Sequence, residues 1–203
     1  MTVRFGIDVS EHQDGISLVR AAAEGIEFAI VRTTDGTYRD RTYRSHIDDA
    51  LAAPISTEAY HYLRNPSEGT SIAEQVAAAV DVMGGAGSPW ARAIWLDCET
   101  PAGLNLDHIR EARDRFHAAG IDVAGVYTYP RYWRWRMFGA DTREFGALWV
   151  ASYGHNKAGT PADIFPGLEE WPVDVGKQKP AMWQFGSQAT VAGYAVDINA
   201  RLI

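Results

Sequence analysis

Short β-branched or aromatic runs alternate with longer helical patterns from the first residues to about Tyr129, and this alternation is typical of βα units. The runs predict strands at Arg4–Val9, Phe28–Thr33, Glu58–Leu63, Ala93–Glu99 and Val123–Tyr129. The longer patterns predict helices at Leu18–Glu24, Thr42–Ala52, Ile72–Met83, Leu106–Ala119 and Tyr132–Phe138. Helix boundaries have physical causes, because Ser71 and Glu74 form a capping box, Asn105 is a helix cap and Gly120 suits a left-handed helix end.

After Phe138 the helical periodicity fades, and further strands are predicted at Ala147–Tyr153, Ala181–Phe185 and Tyr194–Ile198. Parallel strands with helical crossovers need both sheet faces covered or the sheet closed, and eight strands close into a filled barrel. We therefore predict one α/β domain over residues 1–203, an irregular (β/α)-barrel in which five β/α units are followed by three strands. An open doubly wound sheet is the alternative, but no glycine-rich phosphate loop follows any predicted strand.

Composition excludes several classes of function. Lys and Arg number 19 against 26 Asp and Glu, and the net charge of -7 argues against nucleic acid as a partner, since phosphate backbones repel acidic domains. No apolar run approaches the roughly 20 residues that a membrane span needs.

The segment Arg131–Arg136 interleaves arginine with aromatic residues, and we interpret it as an amphipathic turn with packed tryptophan and solvated arginine, at most a cleft rim. The single Cys98 excludes an intrachain disulfide.

Carboxylates stand at the ends of three predicted strands. Asp97 and Glu99 are two residues apart, which places both side chains on one face of a strand and turns Cys98 to the other. Asp8 ends the first strand in the same way and Asp197 ends the last, so closure of the barrel brings Asp8 and Asp197 together. A single acid is more often a solvated loop residue or a helix cap, but four converging acids raise at least one pKa within the group.

Such a set of acids suits glycoside hydrolysis. One protonated carboxyl donates to the leaving oxygen, while ionised neighbours stabilise an oxocarbenium-like centre, activate water or attack carbon. A metal site is the competing use of the same cluster, but the 6 histidines show no paired zinc spacing and no calcium-loop pattern appears. The sequence gives still less support to a serine nucleophile than to a metal site, because Ser10 and Ser152 lie outside any nucleophile-elbow pattern.

Several motifs along the chain carry a family resemblance when they are taken together. They read Gly6-Ile-Asp8-Val-Ser-Glu-His-Gln13, Tyr60-His-Tyr62, Trp95-Leu-Asp97-Cys-Glu99, Trp149-Val-Ala-Ser-Tyr153 and Trp183-Gln184-Phe with Val196-Asp197-Ile-Asn199. In this order the sequence resembles glycoside hydrolase family 25, the Chalaropsis-type lysozymes or N-acetylmuramidases. The resemblance implies a flattened barrel, cleavage of the β-1,4 bond from N-acetylmuramic acid to N-acetylglucosamine in peptidoglycan, and no cofactor.

The resemblance also implies residue roles. Glu99 is then the general acid/base, and Asp97 assists at the anomeric carbon, either directly or by orienting the substrate's own acetamido group. Asp8 and Asp197 are the flanking acids that orient and tune this pair. The candidate sugar-binding wall consists of Tyr60, Tyr62, Tyr127, Trp149, Tyr153 and Gln184. Core packing is the alternative interpretation for each residue of this wall.

The sequence departs from the family pattern at two places. The second strand ends Arg32-Thr-Thr-Asp35-Gly36 instead of the common Lys-Ala-Thr-Glu-Gly, and Glu58-Ala59 stands before the tyrosine motif where glycine is usual. These changes bear on the tolerance of modified muramic acid more than on the reaction.

Neither a secretion signal nor a cell-wall-binding repeat is evident, so we expect a phage-type endolysin, a module of a longer protein or a secreted bacterial enzyme, acting at the bacterial cell wall. No protein partner and no membrane insertion are predicted. Two alternatives to a muramidase stay open: a catalytically silent barrel that binds glycan, and a metal-dependent carbohydrate esterase or deacetylase.

Overall fold

The computed structural model describes residues 2–203, whose strands form one closed sheet. The strands are β1 Val3–Val9, β2 Phe28–Asp35, β3 Tyr38–Arg39, β4 Ser56–Tyr62, β5 Ile94–Asp97, β6 Val123–Thr128, β7 Ala147–Ala151, β8 Met182–Val191 and β9 Tyr194–Leu202. The helices are α1 Leu18–Ala23, α2 Tyr43–Leu51, α3 Ile72–Val82, α4 Leu106–Ala118, α5 Pro130–Arg136 and α6 Pro161–Ile164. The sheet order is β1-β9-β8-β7-β6-β5-β4-β2, and β2 returns to β1, while the short β3 lies beside β2. The predicted barrel of five β/α units followed by three strands is confirmed.

The eight barrel strands are parallel except for β9, which runs antiparallel to both β8 and β1, and the short β3 beside the barrel is antiparallel to β2. It follows β8 through a tight turn at Ala192 and Gly193, whose φ angles of 50° and 87° are those a two-residue hairpin requires. Our prediction that Asp197 ends its strand was wrong, because β9 continues to Leu202. Asp197 nevertheless reaches the face formed by the carboxyl ends of the parallel strands, since the antiparallel β9 begins at that face.

Local signals in the sequence account for the helix boundaries. Ser71 Oγ accepts from the backbone N–H of Glu74 at 3.2 Å, and the Glu74 carboxylate accepts from the Ser71 N–H at 2.8 Å, which confirms the capping box. Gly120 follows α4 with a φ of 74°, as predicted. Helix α5 begins earlier than predicted, at Pro130, because the fixed φ of proline suits the first turn.

The barrel wall separates two groups of packed hydrophobic side chains. Outward-facing residues such as Val31, Leu96 and Cys98 pack against the helices, so the predicted orientation of Cys98 is confirmed. The lumen holds Phe28, Ile30, Trp95, Tyr127, Trp149, Ala151 and Met182. Near the amino ends of the parallel strands, Glu58 forms an ion pair with Arg201 at 2.7 Å. The negative charge that Glu58 adds to the family pattern is therefore neutralised inside the lumen.

Among the described residues, none of the helices has both the length and the apolar character required to cross a bilayer.

Candidate active site

The structure brings the four predicted acids together at the carboxyl ends of the parallel strands. Asp8 and Asp197 are register partners on β1 and β9, and their carboxyl groups are hydrogen-bonded to each other. Asp97 ends β5, and the backbone N–H of Cys98 still donates to the Tyr127 carbonyl at 2.9 Å, so the ladder continues and keeps Glu99 on the side of Asp97. Burial first, and then repulsion from Glu99 and Asp8, raise the pKa of Asp97, and the repulsion is expected for acids in one cluster.

Asp8 is buried and held by two amide donors. Its Oδ2 accepts from Gln184 Nε2 and from Asn199 Nδ2, each at 2.8 Å. Burial raises the pKa of Asp8, and these hydrogen bonds oppose the rise because they favour the ionised form. Burial, the charges of Asp8 and Glu99 and the hydrogen bond to Asp8 raise the pKa of Asp197 to about 8. At neutral pH Asp197 is therefore protonated, and its O–H donates a hydrogen bond to the Asp8 carboxyl group.

Glu99 is half-buried at the mouth of the barrel. Burial first, and the negative charge of Asp8 second, raise the pKa of Glu99 to about 7. A carboxyl group that titrates near neutrality can both deliver and accept a proton at working pH, which is the requirement for a general acid/base.

Asp97 differs from Asp8 in lacking an internal donor. Its Oδ1 is buried and has no hydrogen-bond partner among residues 2–203. Burial is the largest cause that raises the pKa of Asp97 well above its usual range, and the nearby Arg32 charge opposes the rise. An unpartnered buried carboxylate oxygen is costly, so this atom is poised to accept from a bound ligand.

The family model described as glycosyl hydrolases family 25 matches residues 7–194, a segment that contains Asp8, Asp97 and Glu99. The chain belongs to this family. Over 220 aligned residues this family 25 protein is 28% identical to lysozyme M1 of Streptomyces globisporus, and the alignment covers 96% of the chain and 65% of that protein. The chain thus spans less than the full length of this curated relative.

Solved structures match the family 25 barrel over nearly its whole length. The lysozyme from Streptomyces coelicolor is 25% identical with a TM-score of 0.77, and the match covers 98% of this chain and 92% of that chain. The catalytic domain of an endolysin from a bacteriophage of Listeria monocytogenes is 18% identical with a TM-score of 0.74, covering 99% of this chain and 94% of that chain. The second likeness shows a shared fold.

Of the predicted sugar-binding wall, Tyr62 and Tyr153 are partly exposed at the mouth of the barrel. Tyr153 is 42% exposed, and its hydroxyl donates to Gln184 Oε1 at 2.5 Å. Tyr62 is half-buried, and the Arg64 guanidinium lies 4.7 Å from its ring centroid. Burial, and then the charges of Asp97 and Glu99, raise the pKa of the Tyr62 phenol, which places it beside the acids.

Three other wall residues, Tyr127, Trp149 and Gln184, are buried and use their polar atoms within the protein, whereas Tyr60 is half-buried. The Tyr127 hydroxyl donates to Gln184 Oε1 at 2.9 Å, and Trp149 Nε1 donates to Asn199 Oδ1 at 2.8 Å. The Tyr60 ring meets the Trp149 ring edge-on, with centroids 6.5 Å apart. Burial therefore favours the packing interpretation for Tyr127 and Trp149, and it makes Gln184 a support for Asp8.

Sequence reasoning left Asn199 and Arg32 out of the site. Asn199 follows Asp197 by two residues on a strand, so the spacing that pairs Asp97 with Glu99 also places Asn199 inward. Arg32 is the cation whose charge acts on Asp97, and it is held by Asp40 at 2.9 Å. Arg32 lies two residues after Ile30 on β2, so the same strand period turns its side chain inward.

The residues of the metal-dependent alternative are not assembled. No group of three or more His, Cys, Asp or Glu side chains in residues 2–203 is arranged to hold a metal ion. His61, the histidine near the end of a predicted strand, is buried on the outer side of β4, and its Nδ1 lies 2.6 Å from Thr34 Oγ1. We assign His61 to packing.

Proposed function

We propose that this chain is a lysozyme of the N-acetylmuramidase type, which hydrolyses the β-1,4 bond between N-acetylmuramic acid and N-acetylglucosamine in peptidoglycan. Family membership supports the reaction class. The observation that carries the proposal is the pairing of Glu99, whose pKa is about 7, with Asp97, whose buried Oδ1 is unpartnered. The site of action proposed is the bacterial cell wall, for an endolysin or another wall-lytic enzyme.

In the proposed mechanism, Glu99 protonates the glycosidic oxygen as the bond to the anomeric carbon breaks. Asp97 Oδ1 accepts the N–H of the substrate's acetamido group, and the carbonyl oxygen of that group attacks the oxocarbenium-like carbon. The Glu99 carboxylate then takes a proton from the water that opens this intermediate. The unpartnered Asp97 oxygen supports this orienting role over direct attack by Asp97, because it lacks a donor that the acetamido N–H supplies.

The Asp8–Asp197 pair supports this chemistry without contacting the bond. The hydrogen bonds from Gln184 and Asn199 favour the ionised form of Asp8, and the Asp8 charge contributes to the raised pKa of Glu99. Asp197, whose pKa is raised to about 8, is the protonated partner in this pair.

The test is digestion of purified peptidoglycan by the wild type and by Glu99→Gln, with fragments reduced by borohydride and identified by mass spectrometry. We expect muramitol ends from the wild type and a rate lower by about 100-fold or more for Glu99→Gln, because an amide cannot deliver the proton. The exposed Glu111→Gln is the matched control and should digest at the wild-type rate.

Other outcomes reject the proposal in distinct ways. Glucosaminitol ends would move the cleaved bond, and near wild-type turnover by Glu99→Gln would remove Glu99 from the mechanism. No fragments from the wild type would favour the silent glycan-binding barrel. Loss of activity on adding EDTA would favour the metal-dependent esterase.

A further inference from the structure

Helix α5 and the residues beside it carry an exposed surface of aromatic and basic side chains. We name it the α5 surface, and it consists of Tyr129, Arg131, Arg134, Trp135, Arg136 and Phe138, all exposed. Trp135 is 68% exposed and Phe138 is 93% exposed. The expectation that the tryptophans of this segment pack inward holds for Trp133 and is wrong for Trp135.

The aromatic part of the α5 surface is costly to the isolated protein. Phe138 has a φ of 51°, a left-handed conformation that residues with a side chain rarely adopt, and its ring contributes almost nothing to the core. Backbone strain and large exposed apolar groups are features that concentrate at binding sites.

The basic part of the α5 surface has no internal counter-charge. Among residues 2–203, no carboxylate lies within salt-bridge distance of Arg131, Arg134 or Arg136. Arg134 lies over the Trp135 ring, 5.8 Å from its centroid. Three unpaired cations on a chain with a net charge of -7 form a local patch that is complementary to an anionic ligand.

The α5 surface adjoins the segment that follows Glu99. Arg136 donates to the Pro101 carbonyl at 3.0 Å, two residues beyond Glu99. A recess of about 410 Å³ is lined by Tyr129, Arg131, Tyr132, Trp135 and Arg136. A second recess, of about 250 Å³, lies between Trp135, Arg136 and Phe138 on one side and the loop 102–105 on the other. The α5 surface therefore extends outward from the segment that carries Glu99, the proposed proton donor.

We propose that the α5 surface binds the peptidoglycan glycan strand outside the bond that is cleaved. Trp135 and Phe138 provide flat faces for sugar rings, and Arg131 and Arg134 pair with the carboxylates of the peptides attached to muramic acid. A phosphodiester polymer would use the arginines but leaves the aromatic faces without a ring to stack on. This inference rests on the proposed function, because it takes peptidoglycan as the substrate.

The test measures binding separately from cleavage. Glu99→Gln protein is co-sedimented with insoluble peptidoglycan from which phosphate-containing polymers have been stripped. We expect the added double substitution Trp135→Ala and Phe138→Ala to raise the apparent Kd about tenfold, because each ring loses its stacking contact. The single Trp135→Ala should give part of this loss, and Val173→Ala, at a residue that is 80% exposed, is the apolar control and should give none.

The charge contribution is tested in the same assay. The pair Arg131→Ala and Arg134→Ala should weaken binding at low salt and flatten its dependence on NaCl. Arg44→Ala is the matched control, because Arg44 is also an exposed arginine over a tryptophan, 4.9 Å from the Trp90 ring centroid. Unchanged binding in both the aromatic and the arginine variants would overturn the proposal. Loss of binding on stripping the phosphate polymers would overturn it in favour of those polymers.

A second readout keeps this proposal distinct from the proposed function. With Glu99 intact, the Trp135→Ala and Phe138→Ala protein should cleave a short soluble peptidoglycan fragment at the wild-type rate and lose rate only on the insoluble polymer. Equal losses on both substrates would overturn a role outside the cleaved bond. If the wild type cleaves neither substrate, the proposed function fails, and the co-sedimentation result still decides whether the α5 surface binds glycan.

Discussion

Cys98 stands between Asp97 and Glu99 in the sequence and on the opposite face of their strand in space. Its side chain is fully buried, and burial raises the pKa of the thiol well above its usual range. We expect iodoacetamide to leave the folded protein unmodified and active, since the thiolate is the reactive form. Intact mass measured before and after denaturation checks this, because the denatured chain should gain one adduct. Rapid modification of the folded protein would show that β5 does not shield its outer face.

Strand β9 supplies three inward side chains, Asp197, Asn199 and Arg201, at successive inward positions. Replacing Asn199 with leucine removes the Nδ2 donor to Asp8 at similar volume. We expect lower activity and an acidic limb of the pH–activity profile that moves to higher pH, because the pKa of Asp8 rises when a donor to its ionised form is lost.

Trp149→Phe is the control for this prediction. Asn199→Leu also leaves Trp149 Nε1 without its acceptor, whereas Trp149→Phe removes that hydrogen bond and part of the buried ring volume but keeps the Asn199 donor to Asp8. The pH profile of Trp149→Phe should stay at the wild-type position. A shift of the same size in both variants would assign the effect to packing of the lumen.

The stability of the whole molecule should depend on pH through its buried acids. The folded-state pKa values of Glu99 and Asp197 are raised to about 7 and about 8, so the folded chain binds more protons than the unfolded chain up to that range. Their contribution to the free energy of unfolding therefore falls as pH rises. Burial lowers the pKa of His61 to about 4, and its contribution rises with pH between about 4 and its ordinary value of 6.5.

Above pH 6.5, therefore, the pH dependence of the free energy of unfolding comes mainly from Glu99 and Asp197 and little from His61. We expect the Tm to fall between pH 6.5 and 8, and Asp197→Asn to flatten this fall, because the amide is neutral and can still donate to Asp8. If Asp197→Asn gains roughly 1 kcal/mol in the free energy of unfolding at pH 8, its Tm should rise by about 2–4 °C for a chain of this size. The exposed Asp174→Asn should follow the wild type, and an equal pH dependence in Asp197→Asn would contradict the raised pKa.

Local patterns were sufficient to predict the order of the elements and much of the site. The two-residue period of a strand placed Asp97 and Glu99 together and turned Cys98 outward, and the capping box at Ser71 set the start of α3. These outcomes depend on backbone geometry within a few residues, so they can be read from neighbouring positions in the chain.

Other features required the folded molecule. No local pattern predicts the antiparallel direction of β9 or the pairing of Glu58 with Arg201. Nor does one predict that Trp149 is buried and Trp135 exposed. A strand's direction depends on how the chain returns to the sheet, and the fate of a side chain depends on whether distant segments cover its face and neutralise its charge. Segments far apart in sequence supply that cover, so these features were decided only when the barrel closed.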